Sequence, residues 1–86
     1  MNKVNRFLQL VKNQVEIKAK LYDGIEVITS SIDGTQITRA LMSTIEEIGE
    51  VSSAITRHRY ELAKAECVDV AHSALLLYLA IEKAQE

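Results

Sequence analysis

Residues 60–83, YELAKAECVDVAHSALLLYLAIEK, contain the longest apolar run of this sequence, Ala74 to Ile81. Apolar side chains recur here at helical spacing and cover most of the circumference in the second half. They are Leu62, Cys67, Val70, Ala71, Ala74, Leu75, Tyr78 and Ile81. Such a helix must be buried against several partners, more than one short chain supplies. The stretch therefore predicts a helix from about Tyr60 to Lys83 in a bundle that is completed by oligomerisation.

A second helix is predicted immediately before this one, from about Gln36 to Thr56, with Thr35 as its N-cap. Its apolar stripe consists of Ile37, Leu41, Ile45, Ile48, Ser52 and Ile55. No glycine or proline separates the two helices, so composition alone permits one long rod. Extending the stripe reaches His58 and Arg59, however, and this change to polar side chains predicts a connection at residues 57–59.

The beginning of the chain predicts another amphipathic helix, from Asn2 to about Tyr22. Its apolar positions are Val4, Phe7, Leu8, Val11, Val15 and Ala19. Turn signals follow at Asp23-Gly24 and Asp33-Gly34. The β-branched residues between them are compatible with a loop, a helical extension or a short strand.

Length and composition predict one small all-α domain that spans residues 1–86. The chain has no proline and only three glycines, which is typical of helical proteins. A monomer of this size buries only about 60–65% of the surface that its unfolded chain exposes. Association with further copies, as a homodimer or a dimer of dimers, is therefore expected.

Charge and cysteine content exclude several classes of protein. A net charge of −2, from 10 basic and 12 acidic residues, argues against a nucleic-acid binder. One cysteine is too few for a disulfide framework or a cysteine-ligated zinc site. No apolar run approaches the roughly 20 residues of a membrane span, and Lys3, Arg6 and Lys12 interrupt any signal core. We expect a cytoplasmic protein with no membrane or nucleic-acid partner.

Two acidic pairs stand out because they lie within apolar sequence. Glu47 and Glu50 are three residues apart, as are Glu66 and Asp69, so each pair shares one helical face. No lysine follows at the fourth position to relieve the repulsion. If the helices form an antiparallel hairpin about residues 57–59, the pairs face each other. Four carboxylates there would suit Mg²⁺, with Mn²⁺ as a second option; the alternative is two solvated acidic stripes.

The same residues carry a resemblance to a known family. Glu46-Glu47-Ile48-Gly49-Glu50, followed after fifteen residues by Glu66-Cys67-Val68-Asp69, resembles the EExxE…ExxD signature of the MazG-like nucleoside triphosphate pyrophosphohydrolases. The similarity covers about residues 40–82, and residues 1–35 show no diagnostic match. The phosphoribosyl-ATP pyrophosphohydrolases resemble the chain less, because their Tyr-His after the aspartate and their lysine before EExxE are absent.

The resemblance implies an all-α enzyme with a MazG-like four-helix core that cleaves a nucleoside triphosphate into the monophosphate and pyrophosphate. It implies Glu47, Glu50, Glu66 and Asp69 as metal ligands. Glu46 or a ligand carboxylate such as Glu47 would accept a proton from the attacking water. Clearance of non-standard or surplus nucleotides is the implied role.

A triphosphate also requires cationic or polar partners. Arg57 lies seven residues after Glu50 and Arg59 seven before Glu66, so each lies on the same helical face as its acid. If the helix continues that far, both are within an arginine's reach of a bound polyphosphate; the alternative is a solvated turn. His72, one turn beyond Asp69, is a further candidate for phosphate binding or an enclosed interface histidine. Lys64 points about 160° away from Glu66 on the same helix.

The alternative function is non-enzymatic. The chain would then be a helical-bundle interaction protein or regulatory partner, whose acidic motif binds no substrate.

Overall fold

A computed structural model describes residues 2–21 and 36–86 of the chain. Within these residues the protein consists of three α-helices and no strand. They are α1 (Lys3–Leu21), α2 (Ile37–Thr56) and α3 (Tyr60–Ala84). The predicted all-α class and the three helices are confirmed, with ends that agree to within a residue. Thr35 and the segment around residues 23–35 lie outside the described residues.

The connection at residues 57–59 ends α2 without a glycine. His58 adopts a left-handed backbone conformation, with φ of 58°. The His58 amide donates to the Ile55 carbonyl at 3.0 Å, and the Arg59 amide donates to the Ala54 carbonyl at 2.8 Å. These two bonds form a Schellman motif, which satisfies the last carbonyls of the helix and reverses the chain. The predicted break at residues 57–59 is confirmed.

Small side chains form the contact between α2 and α3. The buried apolar residues among those described are Ala54, Ala63 and Ala80, joined by the polar Thr44 and Ser73. The Thr44 hydroxyl donates to the Ala40 carbonyl at 2.8 Å, so its polar atom is satisfied within its own helix. Short side chains allow two helices to pack closely, but they remove little apolar area from water.

The stripe that the sequence predicts for α2 does not face α3. Leu41, Ile45, Ile48 and Ile55 remain between 44% and 53% exposed, while Thr44 and Ala54 lie against α3 instead. An amphipathic helix usually buries its largest aliphatic side chains, but the buried residues of α2 are the small Thr44 and Ala54. The helices instead approach along the side where the residues are small.

The first helix, α1, packs on α3. Val11 and Val15 are half-buried there, whereas Val4 and Leu8 near the start are exposed. The Asn2 side chain caps α1 by accepting a hydrogen bond from the Asn5 amide at 2.8 Å. None of the described helices combines the length and the hydropathy needed to cross a bilayer.

Candidate functional site

The hairpin of α2 and α3 brings the two acidic pairs together near its closed end. Glu50 and Glu66 each stand eight residues from His58, and Glu47 and Asp69 each stand eleven. Residues at equal distances from the turn of an antiparallel hairpin lie at the same level along its axis. The predicted convergence of the pairs therefore follows from the turn that the chain makes.

Glu66 is the centre of this cluster. The pKa of its carboxyl group is raised above the ordinary value, first by a hydrogen bond with Glu50, then by burial. The negative charges of Glu50, Asp69 and Glu47 raise it further. Each of these causes favours the protonated form of Glu66, and a cation at the cluster would relieve the same repulsion.

Neutral side chains hold the other two acids. The Ser73 hydroxyl donates to Oε2 of Glu47 at 2.9 Å, and Ser73 is only 6% exposed. The Gln14 amide of α1 donates to Oδ1 of Asp69 at 2.6 Å. Each bond occupies one carboxylate oxygen and fixes the orientation of the group, as outer partners of metal-ligating carboxylates do.

Sequence reasoning missed both donors. Ser73 had a visible signal, since it is a small hydroxyl residue within an apolar run and one turn beyond Asp69. Gln14 had no such signal in the sequence. Its role depends on where α1 packs on α3, and the spacing of residues within α1 does not reveal that position.

The donor chemistry of the cluster fits a hard divalent cation, but the shell is not preformed. Carboxylate oxygens are the ligands that Mg²⁺ and Mn²⁺ prefer. Oε2 of Glu66 is enclosed and has no hydrogen-bond partner among the described residues. Within residues 2–21 and 36–86, however, no three His, Cys, Asp or Glu side chains converge tightly enough to hold a metal ion as they stand. Binding would require the carboxylates to turn toward a common point.

Both predicted arginines lie beside the cluster. Arg57 and Arg59 line an open cavity of about 190 Å³ together with Glu50 and Glu66. The two guanidinium groups are exposed, so they remain available to an anion. Glu46 is also exposed on α2, about 100° around the helix from Glu47.

His72 is enclosed. It is 6% exposed, and its pKa is lowered by burial and by the positive charge of Lys18, against the opposing effect of Asp69. A neutral, buried imidazole favours the interpretation as an enclosed histidine over direct contact with a phosphate.

A larger groove lies between α1 and α3 and ends at Asp69. It measures about 640 Å³, within the range of small-molecule sites. Its polar lining includes Arg6, Asn13, Gln14 and Lys64. Its apolar lining is Leu10, Ile17, Ala65 and Val68. Although Lys64 points away from Glu66, α1 folds over that side, so Lys64 and Asp69 line one groove.

No protein-family model matches the chain, and neither the curated proteins nor the solved structures contain a detectable relative. The described residues show an all-α protein with three helices. Its membership of the MazG-like family remains a prediction.

Proposed function

We propose that this protein is a Mg²⁺-dependent, MazG-like nucleoside triphosphate pyrophosphohydrolase of the cytoplasm. The observation that supports this most is the environment of Glu66. Nearby Glu50 and burial raise the pKa of its carboxyl group, the charges of Glu47 and Asp69 raise it further, and one enclosed oxygen has no partner among the described residues. Such crowding opposes folding unless a cation relieves it, which a purely structural hairpin would not require.

The proposed reaction is attack of water on the α-phosphorus of the substrate. The bond from the α-phosphorus to the bridging oxygen breaks, and pyrophosphate leaves with the electron pair. Glu46, or a ligand carboxylate such as Glu47, accepts the proton of the water. Bound Mg²⁺ would offset the charge on the phosphate oxygens and lower the pKa of the attacking water.

The two openings beside the acids suit the two ends of such a substrate. Arg57 and Arg59 supply positive charge at the closed end of the hairpin, where a polyphosphate would be held. The groove between α1 and α3 has an apolar floor and the amides of Asn13 and Gln14. This lining suits a nucleoside, whose ring packs on apolar side chains and whose edges form hydrogen bonds.

The decisive experiment is phosphorus NMR of the products from a mixed nucleoside triphosphate pool. We expect nucleoside monophosphate and pyrophosphate. Asp69→Asn and Glu47→Gln should each lower turnover by about 10²-fold or more, because each removes one charged group that stabilises the transition state. Glu82→Gln is the matched control and should retain activity, because Glu82 is an exposed acid on α3, the same helix as Asp69.

Nucleoside diphosphate and orthophosphate as products, or full activity in Asp69→Asn, would contradict the assignment. Circular dichroism of each variant separates loss of chemistry from loss of fold. Turnover of no nucleotide would favour the second candidate, a non-enzymatic interaction or regulatory protein. One observation supports that candidate: Val4, Leu8 and Tyr78 are all more than half exposed, as on a protein that binds other chains.

A further inference from the structure

Gln14 of α1 belongs to two sites at once. Its side-chain amide donates to Oδ1 of Asp69 at 2.6 Å, across the contact between α1 and α3. The same side chain lines the groove between these helices, and the groove also reaches Asp69. Donation of one N–H to Asp69 leaves Gln14 a second N–H and a carbonyl oxygen for a molecule in the groove. A ligand of the groove and the carboxylate of Asp69 can therefore both bond to Gln14 at the same time.

The side of α1 that lines the groove is incompletely packed. Leu10 and Ile17 lie about one turn before and after Gln14 on this side, and they are 48% and 59% exposed. A molecule with a flat ring that entered the groove would cover both side chains and remove their apolar area from water. It would thereby hold α1 against α3. The side chain of Gln14, which otherwise has a large rotamer entropy, would be restrained with the helix that carries it.

The acidic cluster needs a restraint of this kind. In the part of the chain that the structure describes, no three such side chains converge tightly enough to hold a cation as they stand. Gln14 occupies Oδ1 of Asp69 and leaves the second carboxylate oxygen for a cation. Ordering of Gln14 and Asp69 costs entropy only once. Whichever ligand binds first, in the groove or at the cluster, the second ligand meets side chains that are already ordered and binds more tightly.

From this we infer that Gln14 couples the groove to the metal site, so that a nucleoside in the groove tightens the binding of Mg²⁺ or Mn²⁺ at the acidic cluster. The choice of a nucleoside as the groove ligand rests on the proposed function, whereas the coupling rests on the bond between Gln14 and Asp69. The consequence is a selection among substrates. A nucleoside triphosphate completes the metal site as it binds, but an inorganic polyphosphate leaves the groove empty and does not.

The test uses nucleosides without phosphate, because these cannot bind the cation through a phosphate oxygen and any coupling must pass through the protein. Titration calorimetry measures the affinity for Mn²⁺ with and without each of the four deoxynucleosides in turn. At least one of them should tighten Mn²⁺ binding by about 5-fold or more, and Mn²⁺ should tighten the binding of that nucleoside by the same factor.

Two variants locate the coupling. In Gln14→Leu both factors should fall to one, although this variant also binds Mn²⁺ more weakly when the groove is empty. Gln9→Leu is the matched control, since Gln9 is an exposed glutamine of the same helix, and it should keep the wild-type factors. If Gln14→Leu fails to fold, NMR of the wild type replaces it. The side-chain amide signals of Gln14 should then shift when the nucleoside is added, and those of Gln9 should not.

Mn²⁺ binding that is absent, unchanged or weaker in the presence of every nucleoside would overturn the inference. So would a Gln14→Leu variant that keeps the wild-type factors, or Gln14 amide signals that do not move. Failure of the proposed function looks different. Release of pyrophosphate from nucleoside triphosphates without coupling would leave the enzyme and remove this inference, whereas coupling without turnover of any nucleotide would leave the inference and remove the enzyme.

Discussion

The carboxyl group of Glu66 on α3 lies close to the carboxyl group of Glu50 on α2, and this neighbour is the first cause of its raised pKa. Two acids on neighbouring helices are thus held together where Coulomb repulsion would separate them. A proton on Glu66, or a cation bound at the cluster, would relieve this repulsion. The chemistry proposed for the protein depends on which of the two is present.

The first prediction concerns pH. The folded-state pKa of Glu66 is raised above its ordinary value of 4.5. At pH values between the ordinary pKa and the raised one, the folded protein therefore binds more protons than the unfolded chain. The metal-free protein should therefore lose stability as pH rises through that window. Glu66→Gln should remove this loss. Urea unfolding across pH measures it, and an unchanged pH dependence in the variant would contradict the structure of the cluster.

The second prediction concerns Mg²⁺. A cation that binds only the folded state should stabilise it, by about 2.7 kcal/mol at a concentration 100-fold above its dissociation constant. Mn²⁺ should act similarly. Glu50→Gln should weaken the effect, while Glu82→Gln should leave it intact. A melting midpoint that is indifferent to both metals, with and without nucleotide, would count against the metal site.

The third prediction concerns the neutral donors. Ser73→Ala and Gln14→Leu should each weaken Mn²⁺ binding by about 10- to 100-fold, because each frees a carboxylate that must be oriented. Titration calorimetry measures the affinity. Gln9→Leu is the control for Gln14, since Gln9 is an exposed glutamine of α1 whose amide donates to Asn13 of the same helix. Equal affinity in all four proteins would show that the donors do not position the acids.

The fourth prediction concerns the turn. His58 adopts a left-handed conformation that costs a non-glycine residue about 1 kcal/mol. His58→Gly should relieve this cost. Two effects oppose the gain: glycine has greater entropy in the unfolded chain, and the 3.0 Å contact between His58 Nδ1 and the Tyr60 hydroxyl is lost. His58→Val should destabilise the hairpin instead. Thermal unfolding should therefore place His58→Gly close to the wild type and His58→Val below both, and a His58→Val variant as stable as His58→Gly would refute the account.

Helix ends and the position of the hairpin could be predicted from the sequence because both depend on local patterns. The change of character at residues 57–59 located the turn, although no glycine marked it. The buried face of α2 could not be predicted. Hydrophobicity favoured Ile45 and Ile48, but close helix packing selected Thr44 and Ala54, which are small. The role of Gln14 could not be predicted for a related reason, since its hydrogen bond to Asp69 depends on contact between helices that are distant in sequence.

The equal spacing of the acids about His58 limits which insertions and deletions the chain can accept during evolution. Glu50 and Glu66 meet because the same number of residues separates each from the turn, and the same holds for Glu47 and Asp69. Inserting or deleting one residue between them moves one arm by about 1.5 Å and turns its side chains by about 100°. A substitution at His58 alters stability alone, whereas a change of length in the turn dismantles the acidic cluster. Lineages that keep the cluster should therefore tolerate different residues at position 58 but preserve the number of residues at 57–59.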